Sequence, residues 1–304
     1  MKVALTGASG FLGRAVVARL RQLGCETVAL GRTRPIGDAS VVWLNVDLLN
    51  RQDVEATMKG LGASHLMHLA WYTEHGEYWE SPVNRLWVDA SLHLLAAFHA
   101  QGGQHVVMAG SCAEYDWKCG RMREDGTPLV PRTLYGRAKD ETRRLSQAVC
   151  TALDMRLAWA HLFFPFGPGE ARRRLIPSLV DVFRGRAPPF GVNAASWRSV
   201  LPVDDAAAAL VHLLLGDHSG RFNICPDYSV RIGDLVRELA DLCGADPRPV
   251  LELACDRADD PAVLVGHHGR LYDTGWRPVL TLQQGLQQTL QHDLLGTARG
   301  LNIF

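Results

Sequence analysis

Tyr135 and Lys139 stand four residues apart in Tyr135-Gly136-Arg137-Ala138-Lys139. On a helix that spacing places both side chains on one face. An ammonium held beside a phenol stabilises the phenolate and draws its pKa down from roughly 10 toward working pH. Such a tyrosine can donate or accept a proton in catalysis. The same spacing also arises by chance on helix surfaces, so its context matters. Ser111 follows the apolar run Val106-Val107-Met108, at the strand end where ligands of open α/β sheets bind. Its hydroxyl there can hydrogen-bond the substrate oxygen that Tyr135 protonates; its plainer role is to cap a turn.

Thr6-Gly7-Ala8-Ser9-Gly10-Phe11-Leu12-Gly13 has GxxGxxG spacing between an apolar strand and an amphipathic helix. Gly7 permits a tight turn, Gly10 lets the backbone approach a pyrophosphate, and Gly13 lets the helix pack on the sheet. The free N–H groups at the helix start bind phosphate. The turn is thus expected to hold a dinucleotide through Gly7, Ser9, Gly10, Phe11, Leu12 and Gly13. After the second apolar run, Thr27 to Leu30, an NAD site usually carries an acid for the ribose 2′-hydroxyl. Gly31-Arg32-Thr33-Arg34 carries two arginines instead, and a guanidinium matches a 2′-phosphate in charge and shape. NADP(H) is therefore expected over NAD, with Arg32 the better ligand and Arg34 beside it. Asp47-Leu48 is placed to meet the adenine edge, although an aspartate there equally forms a turn.

The elements that must position these residues alternate. Val3 to Leu5, Thr27 to Leu30, His65 to Leu69 and Val106 to Met108 read as buried strands; Phe11 to Leu23, Asp53 to Leu61 and Asn84 to Ala100 read as helices. Continuous apolar strands alternating with helices mean a parallel sheet covered on both faces. A helix from Tyr135 to Leu153 and a strand from Arg156 to Leu162 follow. The pattern then breaks at Phe164-Pro165-Phe166-Gly167-Pro168-Gly169, where proline and glycine forbid regular structure. The fold expected is α/β: a Rossmann-type doubly wound parallel sheet over 1–163, with 196–224 returning to it through the helix Val203 to Leu215 and the strand Arg221 to Ile224. A smaller mixed α/β substrate lobe is expected from 164–195 and 225–304, including helices Ile232 to Leu242 and Leu282 to Leu290.

Composition removes other classes. The 304 residues carry 32 basic and 32 acidic side chains, so no net field recruits nucleic acid or a membrane surface. No run of eighteen apolar residues lacks a charge, and MKVALTG is not a signal peptide. The seven cysteines (25, 112, 119, 150, 225, 243 and 255) form neither a CxxC pair nor a disulfide framework. Reduced thiols in a cytoplasm are expected. No cysteine or histidine spacing suits zinc, the His267-His268 pair included. A non-catalytic NADP sensor would need the glycine turn but not the Tyr–Lys pair.

With these motifs in order, the sequence resembles the extended short-chain dehydrogenase/reductase family, in its nucleotide-sugar epimerase, dehydratase and reductase branch, over nearly the whole chain. TGASGFLG resembles the cofactor turn of that family, and His68-Leu69-Ala70 its fourth-strand end, which puts Leu69 and Ala70 by the cofactor. Ser111, Tyr135 and Lys139 match its catalytic triad. Phe166-Gly167-Pro168-Gly169 resembles its YGPG loop, the 198–205 segment its RDFxHVxD segment, and Thr274-Gly275-Trp276-Arg277-Pro278 its LGWxP turn. The resemblance implies that Arg198 contacts a sugar-nucleotide pyrophosphate and that the protein is a homodimer through its 84–100 and 135–153 helices.

The departures narrow the chemistry. Dehydratases of the family carry an Asp-Glu pair after the serine or threonine; Cys112 and Ala113 stand there. The cysteine and histidine of the C3/C5 epimerising type correspond to Ala113 and Gly169. Phe164 stands near the place where the family commonly has asparagine. What remains is NADPH reduction of a nucleotide-linked 4-keto-6-deoxysugar, or C4 epimerisation with bound NAD, or reduction of a non-nucleotide carbonyl. Substrate contacts are expected from Trp71, Thr73, Cys112, Ala113, Arg174 and Arg198, with Tyr72 and His75 on the same side. Trp71-Tyr72 equally suits packing between the lobes, and the Arg172–Arg174 run equally suits a solvated face. His161 suits a satisfied buried strand position better than catalysis.

Overall fold

The computed structural model describes residues 1–34, 41–216, 218–253 and 260–300, with side chains to residue 295. Cys255 lies outside these; the other six cysteines are free. Seven apolar segments form the main sheet: β1 (Lys2–Thr6), β2 (Glu26–Gly31), β3 (Val42–Asn45), β4 (His65–His68), β5 (His105–Ser111), β6 (Arg156–Leu162) and β7 (Gly220–Ile224). They lie in the order 3-2-1-4-5-6-7, all parallel. This is a Rossmann arrangement, and the order reverses beside β1.

Two cores sandwich the sheet. On one face α1 (Phe11–Gln22) and α6 (Val203–Leu215) bury Val16, Leu20, Ala206, Leu210 and Leu213 against Val3, Leu5 and Val107. On the other, α2 (Arg51–Met58), α3 (Val83–His99) and α4 (Leu134–Ala152) bury Val54, Met58, Leu94, Phe98 and Cys150 against Ala4, Leu66, Val106 and Leu157. Burial from both sides explains why these strands show no alternation.

The return segment divides. Trp197–Arg198 joins a small four-stranded sheet with Val230–Arg231, Val263–Gly266 and Arg121–Met122, whereas α6 and β7 belong to the main sheet. These two- to four-residue strands show no readable period, which is why the sequence reading lacks them. The third core joins α5 (Leu175–Phe183), α7 (Ile232–Cys243) and the last helix, Leu282–Gly300. That helix runs past the expected Leu290. Trp276 and Leu271 pack into the core beside α6. Asp205 on α6 accepts hydrogen bonds from the Val279 and Leu280 N–H groups, at 3.0 and 2.9 Å. Among the described residues no helix is long and apolar enough to cross a membrane.

The closest backbone approach is at the glycine turn. Gly7 takes φ +75°, and a Cβ on it would lie 2.8 Å from Ala70 N. A Cβ on Gly13 would lie 2.0 Å from the Gly7 carbonyl oxygen and 2.8 Å from Ala8 Cα. Both obstacles are backbone and cannot rotate away. Gly13→Ala is expected to destabilise the fold by about 3 kcal/mol and to weaken dinucleotide binding, read by urea unfolding and by cofactor fluorescence titration.

Candidate active site

The turn leaves Gly10 as the N-cap of α1 with no side-chain cap. The first N–H groups of the helix therefore have no intrahelical partner and face the position a pyrophosphate would take. Absent β-carbons, free donors and the positive helix end fit a dinucleotide. Ser9 is exposed, and Phe11 and Leu12 are half-buried at the helix start. Arg14, not anticipated from the sequence, ties this turn to the loop at Gly169: it donates to Ser9 O at 2.8 Å and to Gly169 O at 2.9 Å. Leu69 and Ala70 abut Gly7.

The β4 end is fixed by a hydrogen-bond chain. Ala70 N–H donates to Thr6 Oγ1 at 3.2 Å, Thr6 Oγ1 lies 2.7 Å from His68 Nδ1, and His68 Nε2 lies 2.9 Å from Ser91 Oγ. Ser91 donates its own proton to Trp87 O, so His68 Nε2–H donates to Ser91. Burial, helped by nearby Lys139, pushes the His68 pKa down to about 3. His68 is thus a neutral structural link beneath the site.

Beyond the end of β2, Arg32 and Arg34 are both exposed. Trp43 packs against Gly31 and donates Nε1–H to its carbonyl at 3.2 Å, which shapes the end of β2. Asp47 accepts the Leu49 N–H at 3.1 Å, the turn-forming role. Leu48 is buried in the core.

Ser111, Tyr135 and Lys139 converge at the C-terminal end of β5. Ser111 caps a short 3-10 turn, Cys112–Glu114; its Oγ accepts the Ala113 N–H at 3.1 Å. Thr133 caps α4 by accepting the Gly136 N–H at 3.1 Å. Gly136 lets this helix approach, because a Cβ there would lie 2.3 Å from Ala113 O. Lys139 Nζ donates to Ala109 O at 2.7 Å and sits 3.7 Å from the centre of the Trp71 ring. Burial pushes its pKa down to about 7, against the opposing pull of Glu114.

Tyr135 corrects one sequence expectation. Its pKa lies above the ordinary phenol value: burial drives it up, and a side-chain hydrogen bond with Ser111 draws it back. Lys139 does not set it here, because the ammonium is spent on Ala109 O and the Trp71 face. Desolvation of the phenolate outweighs the one stabilising contact.

Rings enclose Tyr135. Trp71, Tyr78 and Trp79 meet it edge-on at centroid distances of 6.4, 4.9 and 5.8 Å. Trp79 O accepts the Tyr135 N–H at 2.9 Å. Buried Asn84 fixes this loop, accepting from Trp71 Nε1 at 2.8 Å and donating to Tyr78 O at 2.6 Å. Trp71 also stacks on Trp87, so it both lines the site and packs against α3. Tyr72 hydrogen-bonds Glu77, Thr73 is exposed, and His75 is half-buried near Arg173 and Arg174. Tyr78 and Trp79 were not anticipated because aromatic loop residues carry no spacing rule, and Asn84 because its partners, Trp71 and Tyr78 O, lie outside its own helix.

Around the mouth, Cys112 and Ala113 are buried. Burial pushes the Cys112 thiol up to about 12, with Arg198 opposing; it is no nucleophile at neutral pH. Arg174 lies over Tyr78 at 5.7 Å and hydrogen-bonds it, so it reaches the site. Arg172 pairs instead with Asp181 and Asp293. Arg198 is buried, donates to Trp197 O at 2.8 Å, lies over Phe164 at 5.9 Å and pairs with Asp260. A phosphate ligand at Arg198 must share or displace that carboxylate. Phe164 has φ +34°, the left-handed region that asparagine adopts more readily than phenylalanine.

The model of the NAD dependent epimerase/dehydratase family matches residues 3–225. GDP-6-deoxy-D-mannose reductase of Pseudomonas aeruginosa is 25% identical over 245 residues, 74% of this chain and 78% of its own. A solved structure of MoeE5 in complex with UDP-glucuronic acid and NAD superposes with TM-score 0.86 at 26% identity, covering 97% of this chain and all of that one. UDP-glucose 4-epimerase of Thermus thermophilus, in complex with NAD, shares the fold at TM-score 0.82 and 22% identity, over 96% and 98% of the two chains.

Proposed function

Because the chain belongs to the NAD dependent epimerase/dehydratase family and is an oxidoreductase of the extended short-chain dehydrogenase/reductase type, we propose that it is an NADPH-dependent reductase of a nucleotide-linked 4-keto-6-deoxysugar. One observation carries the reading: Ser111, Tyr135 and Lys139 meet at one strand end while Cys112 and Ala113 supply no acid–base pair for elimination. The similarity to a GDP-6-deoxy-D-mannose reductase supports the substrate class. Exposed Arg32, and the absence of an acid in 31–34, support NADPH.

In this mechanism the glycine turn and the α1 N–H groups hold the cofactor pyrophosphate, and Arg32 holds the 2′-phosphate. The bound cofactor supplies hydride. Ser111 Oγ hydrogen-bonds the sugar carbonyl oxygen. Tyr135, held by Ser111, protonates that oxygen as negative charge develops on it; its raised pKa keeps it a phenol at neutral pH and hence a donor. Lys139 adds positive charge beside the pair. Donors fixed in a dry site stabilise the developing oxyanion more than water would. Trp71, Tyr78 and Trp79 exclude solvent from the proton transfer. Arg198 and Arg174 meet the sugar-nucleotide phosphates.

The test is a binding and turnover screen of GDP-, UDP-, CDP- and dTDP-linked ketosugars with NADPH or NADH. One nucleotide series should be reduced with stoichiometric NADPH consumption. Arg198→Ala should weaken that substrate by about 10- to 100-fold, the loss of a charged hydrogen bond, with NADPH affinity intact. Indifference to that change would count against a nucleotide-linked substrate. Sugar interconversion without NADPH consumption would replace the reductase by a C4 epimerase.

A further inference from the structure

Glu114 is fully buried directly beneath the catalytic strand end. Its Oε1 accepts the Ser111 N–H at 2.7 Å, and Trp159 Nε1 lies 3.2 and 3.1 Å from its two oxygens. His161 Nε2 lies 3.2 Å from Oε2, and Arg143 Nε 3.9 Å. The supporting shell is itself fixed. Asn223 donates through Nδ2 to Met122 O and accepts the Tyr115 hydroxyl proton on Oδ1 at 2.8 Å. The Tyr115 oxygen lies 3.2 Å from His161 Nδ1, so both imidazole nitrogens face oxygens. Backbone is cleared for this carboxylate: a Cβ on Gly110 would lie 2.2 Å from Trp159 Nε1 and 2.7 Å from Glu114 Oε1. A buried carboxylate is costly unless every lone pair works, and this one is surrounded by donors that converge from β5, β6 and α4.

We propose that Glu114 is a positioning residue of the proton-transfer site: it fixes Ser111 through the backbone and supplies the buried negative charge against which Lys139 carries its own. The inference rests on Ser111, Tyr135 and Lys139 being the reacting constellation. Lys139 Nζ is held at Ala109 O and the Trp71 ring, two residues along β5 from the Ser111 N–H that Glu114 takes; Glu114 and His68 act on it through charge, and Ser111, Tyr78, Glu114 and Cys112 act on Tyr135. In both sets Glu114 opposes loss of a proton, against burial for the ammonium and alongside it for the phenol.

A double-mutant cycle in urea unfolding reads the charge without any sugar. Glu114→Gln and Lys139→Met should be non-additive at pH 6, where the lysine is charged, and additive at pH 10, where it is neutral. Equal additivity at both pH values overturns the electrostatic half. For positioning, Glu114→Asp withdraws the carboxylate by one methylene while keeping its charge. Its kcat on the carbonyl substrate that the wild type reduces should fall at least about tenfold with KM and NADPH affinity unchanged. An unchanged kcat, or a kcat loss matched by lost NADPH affinity, overturns that half. If Glu114→Gln does not fold, the aspartate variant decides. Failure of the nucleotide-sugar reading alone would leave the unfolding cycle untouched.

Discussion

Tyr135→Phe is expected to lower turnover by about 10²–10⁴-fold, the range a positioned general acid supplies, while the dinucleotide cofactor binds as before. The phenyl ring keeps the edge contacts with Trp71, Tyr78 and Trp79, so the aromatic wall and the α4 packing survive. Only the hydroxyl that meets Ser111 is lost. NADPH fluorescence titration and steady-state kinetics check it together; a rate equal to wild type would remove Tyr135 from the mechanism. The loss should appear in kcat with little change in KM, because in the proposed reduction the proton moves only as hydride arrives.

Lys139→Met is expected to abolish measurable turnover and, below pH 7, to stabilise the cofactor-free protein. The sign follows from linkage. Burial holds the folded pKa near 7, below the unfolded value of about 10.4. Below pH 7 both states carry the proton, and the folded state bears the full cost of the buried ammonium. Between pH 7 and about 10.4 the unfolded chain binds more protons, so wild-type stability rises with pH through that window. The displacement corresponds to about 5 kcal/mol as an upper bound. Losing the charged bond to Ala109 O and the Trp71 contact returns about 3 kcal/mol of it. Urea unfolding should therefore show the variant about 2 kcal/mol more stable at pH 6, the advantage vanishing or reversing by pH 10. A variant less stable at pH 6 would mean that the ammonium is not desolvated as the geometry indicates. The result would place Lys139 among residues kept for chemistry at the expense of stability.

Much of the polar machinery under the site left a trace in the sequence. Ser111-Cys112-Ala113-Glu114 is a capping-box pattern, and its glutamate could have been read as the partner of the Ser111 backbone. Gly110 before it and Gly136 between Tyr135 and Lys139 mark close approach, yet nothing local says that the neighbours are Trp159 and Ala113 O. Arg198 stood out as a candidate phosphate contact through the family resemblance, but nothing local pointed to its partner Asp260, 62 residues away. Arg14 reaches Gly169 across 155 residues. Such pairings are decided by how segments distant in the chain pack together.

Strand–helix alternation, the glycine turn and the Tyr–Lys spacing were fixed by local rules: period, backbone sterics and the helical pitch each act within a few residues, so they are written in the chain itself. Tertiary structure decided the rest. Which aromatic rings enclose Tyr135, where the Lys139 ammonium is spent, and whether burial raises or a charge lowers the phenol pKa all depend on solvent exclusion and distances between segments far apart in sequence. Electrostatic energy in a dry site depends on those distances, and no spacing along the chain encodes them.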